Sequence, residues 1–111
     1  MIYIFSAFYA EAKNIIDHYG LKKEKSPEMV RFDVFANESI RLVITGVGEI
    51  NAVAAVSNIG GAYGISPDDE ILNVGCGAGF SSDICMGSIF LGNKLTEQMT
   101  GRTFYPDMLM K

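Results

Sequence analysis

Apolar positions along this chain fall into short unbroken runs and into spacings of three and four, and the change from one to the other predicts strands and helices in turn. Ile2 to Phe5 is an apolar run with a β-branched bias, which reads as a buried strand of a parallel sheet. From Tyr9 to Tyr19 the apolar residues Ala12, Ile15, Ile16 and Tyr19 recur at helical spacing, and Gly20 is placed to stop that helix in a left-handed conformation. Beyond Ser26-Pro27, Met29 to Ala36 alternates imperfectly. Asn37-Glu38-Ser39 then turns the chain into Ile40 to Thr45, so the two stretches read as an antiparallel pair.

Gly46-Val47-Gly48 opens a second helix, in which Ile50, Val53, Ala54, Val56 and Ser57 mark a face suited to close packing on a sheet; Gly60-Gly61 ends or kinks it. Ile65 to Asp69 is a surface connection, Glu70 to Val74 a further buried strand, and Met86 to Leu91 another candidate strand. The tail from Asn93 has no clear period, and Arg102 to Pro106 reads as a loop. Strand, helix, hairpin, helix and strand in this order imply an α/β fold, a mixed sheet with helices on its faces, in a single domain covering residues 1–111. Ligands of such sheets bind beyond the carboxyl ends of the strands, so Ser6 to Glu11, Thr45 to Glu49 and Gly75 to Gly79 are expected to meet.

Composition narrows the function. A hydrophobic content of 49% over 111 residues is enough for a core. The net charge of −4 is scattered, and the one basic stretch, Lys22-Lys23-Glu24-Lys25, reads as a solvated loop, so nucleic acid is not an expected partner. No apolar run approaches the roughly 20 residues of a membrane span, and no basic segment precedes Met1-Ile2-Tyr3-Ile4-Phe5, so a cytoplasmic location with reduced Cys76 and Cys85 is expected. Two cysteines and the single His18 are too few for a metal site, and His18 lies near the end of a helix away from the loop that carries Cys76, which argues against a Cys-His nucleophile pair.

Leu72-Asn73-Val74-Gly75-Cys76-Gly77-Ala78-Gly79 carries most of the chemistry, because glycines directly after a strand let backbone N–H groups approach a ligand's oxygens. Taken alone, it resembles the first motif of class I S-adenosylmethionine-dependent methyltransferases. Against that, Asn73 stands where an acidic residue is usual, the loop leads to a candidate strand rather than a helix, and little sequence follows it.

Four segments in order resemble a different family, the purine/uridine phosphorylase and methylthioadenosine/S-adenosylhomocysteine nucleosidase superfamily. Ser6-Ala7-Phe8-Tyr9-Ala10-Glu11-Ala12 is similar to its G-A-M-x-x-E segment, and Thr45-Gly46-Val47-Gly48-Glu49-Ile50-Asn51-Ala52 to its S/T-G-I-G-K-V-N-A segment. Pro67-Asp68 with Ile71 to Gly79 is similar to P-D-x-x-I-N-x-G-x-A-G-G, and Met86-Gly87-Ser88-Ile89 to a G-D-I/V-V strand.

This resemblance implies the N-terminal half of a three-layer αβα fold that cleaves the N-glycosidic bond of a purine nucleoside, without a cofactor. It makes Glu11 the candidate catalytic residue, orienting or deprotonating an attacking water. The plain alternative is a solvated first-turn carboxylate favoured by the helix dipole. Phe8, Val47, Gly48, Gly75, Cys76 and Gly77 become candidate substrate contacts, although Phe8 and Val47 could equally be core.

Phosphorylases of the family grip phosphate with arginines in the first loop and just before the glycine loop. Ser6 to Ala12 has no arginine and the second place is Asn73, which favours water as the nucleophile. Phe104 and Tyr105 are candidates for lining a neighbouring subunit's pocket, or for anchoring their own loop. Ser88 departs from the family aspartate, and the family's later Met-Glu pair and purine-protonating aspartate are absent, so this chain is expected to be inactive alone. An open half-sheet invites self-association into a dimer or higher oligomer. A non-catalytic nucleoside-binding or structural module is the competing reading.

Overall fold

Along β1 (Ile2–Ser6) the side chains divide by alternation: Tyr3 and Phe5 join one hydrophobic cluster and Ile4 the other. The strand can be apolar throughout because both of its faces are covered. The same division runs through β4 (Ile40–Ile44), with Val43 on the first face and Ile40 and Leu42 on the second. Helix α1 (Tyr9–Tyr19) brings Ala12 and Ile16 onto the Ile4/Leu42 face, and helix α2 (Glu49–Tyr63) brings Ala55 and Ile59 onto the Tyr3/Val43 face. The sheet is therefore sandwiched between the two helices, as expected for the α/β class.

The computed structural model describes residues 1–106. They form two compact units, Met1–Gly77 and a second that begins at Ala78. In the first, β2 (Lys22–Lys23), β3 (Asp33–Ala36) and β5 (Glu70–Asn73) complete a five-stranded sheet in the order β2-β3-β4-β1-β5. β2 with β3 and β3 with β4 are antiparallel, whereas β1 is parallel to both β4 and β5. Helix α1 ends at Gly20, whose φ of 63° is the left-handed C-cap anticipated for it, and the N–H of Leu21 returns to the Ile16 carbonyl at 2.9 Å.

Several readings of the sequence are corrected. Helix α2 does not pack through Ile50, Val53, Ala54, Val56 and Ser57: these are exposed, Ile50 by 87%, while Ala55 and Ile59 are the buried pair. The helix also runs through Gly60-Gly61 and stops at Gly64, φ 68°. Strand β5 is an edge strand rather than a buried one, with Ile71 exposed by 52%. Lys22-Lys23 is not loop but pairs with Phe35 and Ala36, and only the last four residues of Met29 to Ala36 are strand.

The second unit holds a short hairpin, β6 (Leu95–Thr96) against β7 (Thr103–Phe104), where a loop was expected. Met86 to Leu91 forms no strand. Among the described residues no helix is long and apolar enough to cross a membrane.

At the opposite end of the sheet from the expected ligand crevice, Arg41 lies over the Tyr63 ring at 4.1 Å and donates to the Tyr3 hydroxyl at 3.1 Å. The Tyr63 hydroxyl donates to Glu24 at 2.6 Å, and burial with this carboxylate beside it raises the phenol above its ordinary value. The cluster ties α2 to the segment after β2. Nearby in sequence to β5, the Ser66 N–H donates to Asp69 Oδ2 at 2.9 Å, which with the Met1 ammonium 3.2 Å from Oδ1 holds the Asp69 carboxyl below its ordinary value.

A carboxyl held down in the folded state stabilises above its unfolded pKa, and that contribution is lost as pH falls through the depressed folded value. Asp69→Asn should therefore melt below the parent near neutrality, and the two curves should converge in acid. Thermal melts across that pH range check this, and a gap that persists in acid would refute it.

Candidate functional site

The chain leaves β1 for α1 on one face and leaves the adjacent β4 for α2 on the other, so their carboxyl ends form the kind of switch point at which ligands of such sheets bind. Backbone bonds hold this rim together. The Thr45 N–H donates to the Ser6 carbonyl at 2.8 Å and the Gly46 N–H to the Ala7 carbonyl at 3.1 Å; on the other side of β1 the Val74 N–H donates to the Phe5 carbonyl at 3.0 Å. The ends of β1, β4 and β5 thus share one mouth, as the sequence reading required.

Neither helix is closed by a side chain at this mouth. The N-cap of α1 is Phe8 and that of α2 is Gly48, and neither makes a side-chain capping bond. Glu11, in the first turn of α1, is partly buried, and its Oε2 accepts the N–H of Cys76 at 2.7 Å. A Cβ at Gly75 would lie 3.3 Å from the same oxygen, so the missing side chain makes room for the carboxylate. The acid and the glycine loop are 65 positions apart in sequence and in direct contact in space.

Of the residues singled out from sequence, Phe8, Glu11, Val47, Gly48, Gly75, Cys76 and Gly77 all follow the carboxyl ends of β1, β4 and β5 within the first unit. Phe8 and Val47 are exposed by 52% and 60%, which decides against their being core. Cys76 and Cys85 are free thiols, both exposed. Phe104 and Tyr105 belong to the second unit, Phe104 on β7 and Tyr105 directly after it, with Arg102 over the Phe104 ring at 5.5 Å.

Two features of the rim escaped the sequence reading. Ser6 is buried to 1% exposure with no partner for its hydroxyl among the described residues, at the point where β1 turns toward α1. Asn51 donates through Nδ2 to the Val47 carbonyl at 2.7 Å and so braces the β4–α2 loop from within the helix. The Asn at the sixth position after Thr45 was visible, but nothing in its spacing says that it bends back.

Chemically, the mouth offers a carboxylate, backbone N–H groups and apolar side chains. The arginines of the first unit are committed elsewhere, Arg31 to the Glu28 carbonyl and Arg41 to Glu24 and Tyr3. Among the described residues no group of three His, Cys, Asp or Glu side chains could hold a metal ion. Comparisons with protein-family models, with curated proteins and with solved structures found no match.

Proposed function

We propose that this chain is a cytoplasmic, nucleosidase-like protein carrying the first half of a site for the N-glycosidic bond of a purine nucleoside, with water favoured over phosphate as nucleophile. The observation that carries the reading is the hydrogen bond from Cys76 to Glu11, which joins the two segments the family resemblance assigns to one site. A carboxylate at the mouth can accept a hydrogen bond from a water or a sugar hydroxyl and repels a phosphate. No arginine from the first unit offsets that repulsion. The isolated chain is inactive, because the Met-Glu pair and the purine-protonating aspartate of the resembled family are not in this sequence. It self-associates through the open edge of β5 and the apolar outer side of α2.

One observation favours a second reading, a nucleoside-binding module without catalysis: Glu11 Oε2 is already occupied by a backbone N–H, the arrangement of a carboxylate that serves to pin a loop. A methyltransferase-like S-adenosylmethionine binder fits less well, since no helix follows Gly79 among the described residues.

Calorimetric titration of the full chain with methylthioadenosine, adenine and S-adenosylmethionine separates these readings, run beside an assay for released adenine and light scattering at micromolar concentration. Binding of methylthioadenosine by an oligomer without turnover is the expected result. Binding of S-adenosylmethionine alone overturns the proposal, as does a failure to bind any of the three.

A further inference from the structure

The loop between β4 and α2 is held by a side chain outside the proposed chemistry. Val47 precedes the N-cap Gly48, so its carbonyl lies outside the backbone ladder of α2, and Asn51 Nδ2 supplies its partner at 2.7 Å. The same amide stands where a side chain on Gly46 would have to go, since a Cβ there would lie 3.1 Å from Nδ2 and 3.3 Å from Cγ. Gly46 has φ +83°, a conformation L side chains rarely adopt, so the glycine and the asparagine form a matched pair.

The rest of the stretch is fixed peptide by peptide. The Thr45 hydroxyl donates to the Gly46 carbonyl at 2.7 Å, the Gly46 N–H to Ala7 at 3.1 Å, and the Ala52 N–H to the Gly48 carbonyl at 3.0 Å. Thr45 is buried and two of the other positions are glycines, so Val47 is the side chain this frame presents to solvent at the mouth.

We propose that Asn51 is a positioning residue that holds the Val47 side chain rigidly at the crevice as the apolar wall for a bound ligand, an inference that rests on the nucleoside-site reading above. Preorganisation of this kind acts on affinity, because a wall already ordered loses no freedom when the ligand arrives. Asn51 is exposed and touches the loop rather than the core, so its loss leaves the fold standing.

The test compares Asn51→Asp, which keeps the shape but cannot donate, with Asn51→Ala, each in the parent and in a Val47→Ala background. Thermal melts, methyl NMR of Val47 and calorimetric titration with methylthioadenosine are the readouts. Both Asn51 variants are expected to fold and to melt a few degrees below the parent, to loosen the Val47 methyl groups, and to bind about three- to tenfold more weakly because the wall is no longer ordered in advance. In the Val47→Ala background the same substitutions should change affinity by less than about twofold, since the wall they support is gone. Equal losses in both backgrounds, or no loss in either, overturn the proposal. If the parent binds no methylthioadenosine, the nucleoside reading fails by itself, and the Val47 methyl signals still decide Asn51: unchanged order on substitution sinks the positioning role.

Discussion

Replacing Leu42 by alanine is expected to cost the fold about 3 kcal/mol, within the usual range of about 2–5 kcal/mol for a fully buried leucine. Leu42 is 0% exposed, on a strand bonded on both sides, by β3 and by β1. Its side chain packs with Ile4, Ala12, Ile16, Leu21 and Ile40 beneath α1. The surrounding backbone cannot close on the cavity, because two ladders hold β4 in place.

A small domain has only about 5–15 kcal/mol of stability in total. The loss should therefore lower the melting temperature by roughly 12–24 °C, at about 4–8 °C for each kcal/mol. Urea unfolding followed by far-ultraviolet circular dichroism measures it. Ile71→Ala, on the half-exposed edge strand, should cost under about 1 kcal/mol by comparison. Equal costs at the two positions would mean that the sheet's interior is not where Leu42 lies.

The contrast between these two positions also marks how far pattern alone reached. Strand β1 and helix α1 were legible, because an apolar run bounded by a helical stretch with Gly20 after it has one good interpretation. Helix α2 was legible as a helix but not by its face. Of its residues only Glu49, Asn51, Ser57 and Asn58 are polar, so the apolar pattern runs nearly all round and does not select a side. The choice fell to packing, with the small Ala55 beside the larger Ile59 against Tyr3 and Val43.

Ile71 and Leu72 look like the interior of a sheet until the strand order shows that nothing among the described residues pairs with the far side of β5. The two-residue strands β2, β6 and β7 exist through their partners and leave almost no period to read. At the site, the three strand ends could be anticipated from topology. The bond between Glu11 and Cys76 could not, since it depends on how far α1 leans toward β5.

Removing the Glu11 carboxylate should release the glycine loop, and this is the sharpest measurement of whether the mouth is an assembled site. A hydrogen bond to a charged acceptor contributes about 1.5–3 kcal/mol when sheltered, and partial exposure of Glu11 brings the expected value to about 1–2 kcal/mol. Glu11→Ala should then speed hydrogen exchange at the Cys76 amide by roughly tenfold, each 1.4 kcal/mol being a factor of about ten. Glu11→Gln should fall between parent and alanine, because its amide oxygen still accepts but without the charge.

The fold should stay intact but lose some stability: besides the hydrogen bond, the variant forfeits the helix-dipole benefit of about 0.3–1 kcal/mol. Methylthioadenosine affinity supplies the functional half of the result. If Glu11 faces a ligand hydroxyl or a water as well as the loop, both variants should weaken binding, and alanine more than glutamine. Faster exchange with unchanged affinity would instead assign Glu11 to the loop alone and favour the non-catalytic module. Unchanged exchange in both variants would show that the loop after β5 keeps its shape through its own backbone, leaving the carboxylate no part in the site.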